Sequence, residues 1–156
     1  MSNFIGHTVY GVAALPSANT ATAMESLTFV QIKGELTLPQ LAVSHSTIDV
    51  PNLNGFTTVE KGAATGVATT ATFKNIAADA GQIDITDQAA EKGGVWTFKL
   101  VDGSGTDGAP VSGDPVIYCQ GIVHSFLPNQ GDNATIEGFT VSFNPNAAPI
   151  AATEPA

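Results

Sequence analysis

The sequence predicts a mainly β fold, a β-sandwich or barrel with one flanking α-helix, and three observations carry that reading. Two segments alternate with period two: Val67, Thr69, Ala71 and Phe73 oppose Ala68, Thr70, Thr72 and Lys74, and Trp96, Phe98 and Leu100 oppose Thr97 and Lys99. A long apolar run over residues 116–127 fits a strand central in a sheet, and Phe139, Val141 and Phe143 alternate again after a turn, as a closing hairpin would. Only one stretch, between the two alternating segments, reads as a helix, so strands dominate the order.

The 156 residues fit one domain. Residues 1–23 are rich in Ala, Ser, Thr and Asn, lack a sustained period and contain Pro16, so they read as an N-terminal arm. The β domain spans 24–145, and residues 146–156, with two prolines and several alanines, read as a flexible tail. Within the domain, residues 27–33 are β-compatible, and 47–50 follow a connection containing Pro39. Pro51, Asn52, Asn54 and Gly55 mark a turn before residues 56–60. Asp79 with Gln82 three residues later suits a capping-box start, and Gly93 with Gly94 suits a helix stop. Ile76, Ala80, Ile83 and Ala90 then share a face, leaving Asp84, Asp87, Glu91 and Lys92 toward water. Residues 102–113 form a Gly- and Asp-rich loop. Pro128, Asn129, Gln130, Gly131, Asp132 and Asn133 turn the chain between the last two strands.

Composition narrows the function. A 43% hydrophobic content excludes wholesale disorder, while 12% charged residues is low beside roughly 25% in ordinary domains. A surface of Thr, Ser, Asn, Gly and Ala meets a copy of itself at little desolvation cost, which favours self-assembly. Fourteen acidic groups face five basic ones, all lysine, for a net charge of −9. Without arginine and without a basic cluster, tight or sequence-reading nucleic-acid binding is disfavoured. Cys119 stands alone among Ile117, Tyr118, Ile122 and Val123 and reads as a core thiol. The first ten residues lack a basic, then apolar, leader pattern, and no run approaches the roughly 20 apolar residues a membrane span needs. The expectation is a soluble product of the cytoplasm without a membrane anchor.

The search for chemistry returns little. His7, His45 and His124 lie far apart, without a second ligand at metal spacing. The loop from Asp102 superficially suits calcium, but its sixth and twelfth positions hold Asp107 and Gly113, where an EF-hand needs Gly and a bidentate Glu. Asp79, Asp84, Asp87 and Glu91 at helical spacing make a solvated face more simply than a catalytic pair. Asn133, Ala134 and Thr135 form a glycosylation acceptor that matters only on a secretory route. Neither a nucleophile elbow nor a phosphate loop is present. The expectation is no enzyme, no cofactor and no metal.

The order of features resembles the major tail tube proteins of siphophages over most of the chain. Gly6, His7, Thr8, Val9 and Tyr10 followed by small residues are similar to that family's N-terminal arm, and residues 29–34 to its first core strand. Thr47-Ile-Asp-Val-Pro-Asn-Leu-Asn-Gly-Phe56, continuing to Glu60 and Gly62, resembles its loop with an Ile-Asp-Val-Thr core, Pro51 standing in place of Thr. Ala80, Gly81, Gln82 and the aromatic strand from Trp96 to Val101 resemble the helix and strand that follow. Residues 116–126, with Gly121 at their middle, and 134–143 are similar to the terminal hairpin, without the closing Ser-Gly. The resemblance implies hexameric rings stacked into a tube, whose lumen is lined by strands and passes viral DNA without specific binding. It also implies a tape-measure protein and tail terminator and initiator proteins as partners, and a place in the virion tail. In that family the long loop here packs on the neighbouring ring, which makes Val50, Pro51, Asn52, Leu53, Asn54, Gly55 and Phe56 the candidate inter-ring contact. Competing readings are a type VI secretion tube or tail terminator, a carbohydrate-binding or adhesive β-sandwich, and, last, an enzyme.

Overall fold

A computed structural model describes residues 7–90, 93–129 and 137–155. Its main sheet is eight-stranded and antiparallel. Strand β1 (His7–Val12) lies between β2 (Val30–Ile32) and β7 (Val95–Asp102). From β7 the ladder continues through β8 (Pro115–Asn129), β9 (Gly138–Pro145) and β6 (Thr69–Lys74) to β3 (Glu35–Thr37). The two ends of this order, β2 and β3, are consecutive in the chain, joined only through Lys33 and Gly34. The sheet must therefore curl until its ends meet, which makes a barrel and removes most free edges. Gly34 makes the corner at φ +80°, where a side chain would be strained and would also press on the Lys74 carbonyl.

Helix α2 (Ala80–Ala90) flanks the barrel, and the expected start is present: the Asp79 carboxylate accepts from the Gln82 N–H at 3.1 Å. The Gln82 amide does not complete the capping box. It turns inward, donating to the carbonyls of Lys33 at 2.6 Å and Lys74 at 2.8 Å while accepting from the Ile76 N–H. One buried side chain thus satisfies the backbone at the barrel corner. The buried face is Gly81, Gln82, Ile85 and Ala89, not the expected Ile76, Ala80, Ile83 and Ala90. Gly81 explains the rotation: a Cβ there would collide with the Gln31 carbonyl, so the helix meets β2 along its glycine backbone. Glu91 and Lys92 lie outside the described residues, as do Gln130, Gly131, Asp132 and Asn133 of the expected turn and the Asn133–Thr135 acceptor.

Alternation places Val9, Trp96, Phe98, Cys119, Phe143, Val141 and Phe73 in one core, which Ile85 of α2 joins. Phe98 stands edge-on between Trp96, at 6.1 Å between centroids, and Phe143, at 4.8 Å. Gly11 of β1 lies so close to the Trp96 indole that any Cβ would overlap it. The opposite face of β7 and β8 is also covered, by Met24, Phe29, Tyr10 and Ile150 around Tyr118, Val101 and Val116.

That second layer revises the expected arm and tail. Residues 7–12 are a paired strand, α1 (Ala21–Glu25) caps on Thr20, and β10 (Ile150–Thr153) pairs with the first part of β8. Glu154 holds the last turn down through Lys99 Nζ at 2.9 Å, whose ammonium lies over the rings of Tyr10, Phe29 and Tyr118. These short segments are ordered by long-range pairing, which a local period does not reveal.

Burial pushes the Cys119 thiol from 9.0 up to about 12 and the Tyr118 hydroxyl from 10.0 up to about 12, with Glu154 and Glu25 adding to the latter. Both groups fold neutral, so this stability is fully present below the ordinary thiol value. It is lost as pH rises toward the folded values. The urea midpoint should hold between about pH 7 and 8.5 and fall between about pH 9.5 and 11. The fall should be smaller in Cys119→Ala, measured against its own neutral-pH midpoint.

Candidate assembly surface

Strands β4 (Val43–Pro51) and β5 (Thr57–Gly66) form a separate two-stranded sheet. They prolong the β3–β6 pair past the barrel's end. Gln40 N–H donates to Thr69 Oγ1 at 2.9 Å, Val67 N–H donates to the Ala42 carbonyl at 3.0 Å, and then Val43 faces Gly66. At this root Gly66 lies against the Pro145 backbone too closely for a side chain. Pairing then runs out to Pro51 opposite Thr57, with one irregularity between His45 and Thr47. At about 3.3 Å per residue the hairpin reaches on the order of 30 Å beyond its root. The sequence placed a turn here, flanked by residues 47–50 and 56–60; the arm that carries it is about twice that length.

All seven candidate residues lie at its tip. Gly55 N–H donates to the Asn52 carbonyl at 3.1 Å and Asn52 N–H to the Phe56 carbonyl at 3.2 Å, closing a loop over residues 53–55 with Gly55 at φ +86°. This is the hairpin connection in which a residue in the left-handed region follows a turn, a place suited to Gly. Leu53 is 110% exposed and Phe56 is 78% exposed. Directly paired residues share a face, so Ile48, Val50 and Phe56 line one side of the arm while Val59 and Pro51 lie on the other. Ile48 and Val59 are also solvent-exposed and were not singled out from sequence. A lone two-stranded hairpin is marginally stable in water, and at its tip residues 50–58 carry no charge.

Two concavities lie at the two ends of the barrel. Near the hairpin root, a cleft of about 550 Å³ runs between Leu36, Leu38 and Gln40 on one wall and Leu100, Asp102 and Ile117 on the other. His7 Nδ1 and Asp102 Oδ1 stand 3.9 Å apart at its rim. Glu35 is raised above its ordinary value, chiefly by burial. At the other end, α2 and the β8–β9 pair enclose a groove of about 410 Å³ lined by Ile76, Ile83, Thr86, Asp87, Phe126 and Phe139.

The remaining sequence candidates do not converge. His7 is in β1, His45 is exposed on the arm, and His124 is exposed on β8 with its ring nitrogen 3.0 Å from Ser125 Oγ. The Gly- and Asp-rich loop is organised by Asp114. Its carboxylate accepts from the Ser104 N–H at 2.9 Å, the Ser104 hydroxyl at 2.7 Å and the Val111 N–H at 2.7 Å, bonds that hold it below the ordinary carboxylate range. Asp79 caps α2, and Asp84 points to solvent. Among the described residues, no group of three His, Cys, Asp or Glu side chains is placed to hold a metal, and no helix is long and apolar enough to cross a membrane.

No protein-family model matches the chain, and no curated protein sequence does. Its fold is shared by solved tail assemblies. One is the tail of an empty GTA particle with C6 symmetry, 13% identical, covering 97% of this chain and 99% of that one at a TM-score of 0.61. Another is the sheath/tube terminator of a PVC extracellular contractile injection system in the extended state, 12% identical, covering 94% and 92% at a TM-score of 0.60. In both cases more than nine-tenths of each chain is matched, so the likeness is to the fold at large, not to a shared fragment.

Proposed function

We propose that this chain is the structural subunit of a bacteriophage tail tube, closing into six-membered rings that stack around a DNA conduit. The observation that carries the reading is an arm with an uncharged, apolar tip on a barrel whose own core is complete without it. A folded unit with a projecting sticky arm is suited to heterologous contact between identical copies. The fold likeness to a C6 tail supports the sixfold ring, and the low positive charge supports a wall past which DNA slides without being held. In this reading the virion tail is its place, a tape-measure protein fills the lumen during assembly, and terminator and initiator proteins meet the ends. The seven residues at the tip form the contact between rings.

A terminator-like ring is the second reading, favoured by the equally good fold match to a sheath/tube terminator. Stoichiometry tests the ring, and growth separates the two. Native mass spectrometry should give a hexamer as the smallest closed species. Higher multiples of six should appear as concentration rises. A hexamer that never multiplies supports the terminator, and a strict monomer defeats both.

A further inference from the structure

We infer that the groove between α2 and the β8–β9 pair is the socket that receives the hairpin tip of a second copy of this chain. The inference rests on the stacking reading above and names its missing half. A contact that repeats between identical subunits without closing on itself needs a projection and a recess at different places on one chain. Strand β6 separates them here. Its first residue, Thr69, stands at the root of the arm, and its last, Lys74, leads directly into Asn75 and Ile76 of the groove. The arm leaves one end of the barrel, and the groove opens at the other.

Chemistry matches the tip to this recess. Ile83 is 51% exposed and Ile76 and Phe126 are each 37% exposed, three apolar side chains lining one recess. The groove's about 410 Å³ suits a Leu and a Phe side chain entering together. Charge supports the same occupant. In a chain of net charge −9, copies repel unless the meeting surfaces are neutral, and residues 50–58 carry no charge. Among the described residues the groove has one lining carboxylate, Asp87, a suitable acceptor for the amide donors of Asn52 and Asn54 beside Leu53. The cleft at the opposite end fits less well. Its lining carries two carboxylates, Glu35 and Asp102, among the described residues, a poorer match to an apolar tip.

Crosslinking tests the assignment in the full chain, whose native Cys119 is buried and gives a silent background. Both positions are exposed, so the doubly substituted chain Leu53→Cys, Ile83→Cys keeps its core. Treated in the assembled state with a short bis-maleimide, it should give a ladder of linked chains on a denaturing gel. Leu53→Cys, Leu36→Cys should give none. A ladder from the Leu36 pair, or none from the Ile83 pair although tubes are seen, overturns the socket and leaves the stacking reading intact. Wild-type protein that never stacks overturns both. As a second reading independent of cysteine placement, Ile83→Asp should raise the concentration needed for stacking at least 100-fold while rings still close. Unchanged stacking in Ile83→Asp would reject the socket.

Discussion

Leu53→Asp is expected to melt at the wild-type temperature, with unchanged circular dichroism, and to form no tubes. The side chain is fully exposed at the end of an arm whose strands contribute nothing to either core, so the subunit should lose no more than about 0.5 kcal/mol. In the proposed stack the same position would be covered, and an unpaired carboxylate there would have to be desolvated at every repeat. Such a penalty is several kcal/mol per contact, and each 1.4 kcal/mol is about tenfold in association, so stacking should weaken by more than about 100-fold. Tubes that grow normally from the variant would remove the tip from the contact. A variant that fails to fold would show that the arm belongs to the subunit's own stability.

Trp96→Ala should have the opposite signature, a subunit destabilised by about 3–5 kcal/mol before assembly is at issue. The indole is completely buried, stands edge-on to Phe98 and fills the space left by Gly11 on the neighbouring strand. Of its neighbours, Gly11 offers no side chain to fill the void and Phe98 is held edge-on by Phe143. For a domain of this size the loss corresponds to a fall in melting temperature of roughly 10 °C or more. Near-wild-type melting would mean that the core is not organised around this residue. The two variants together separate folding from assembly.

The strands legible in the sequence are those whose own residues carry the period. Ala71 and Phe73, Trp96 and Phe98, and Phe139, Val141 and Phe143 all point into the core as alternation requires. What closes the barrel was legible in part: β2 lies within the β-compatible residues 27–33, while β3 falls in the connection containing Pro39, where the sequence predicts no strand. Strands β2 and β3 are only three residues each and are strands because β1 and β6 lie beside them. The face of α2 was misread because Gly81 and Gln82 are buried for close approach and for hydrogen bonding, which hydrophobicity does not register. The tip was visible through Pro51, Asn52, Asn54 and Gly55. The reach of the arm was not, since Thr, Ala and Gly dominate β5 and give no apolar alternation. The groove shared by Ile76, Ile83 and Phe126 joins residues up to 50 positions apart and exists only once the barrel has formed.

Negative-stain microscopy of the purified wild-type chain across a concentration series tests the central claim most directly. The account predicts six-fold rings seen end-on and, at higher concentration, stacked tubes with a continuous central channel. Isolated compact monomers at every concentration, unchanged when tail initiator complexes are supplied, would contradict it.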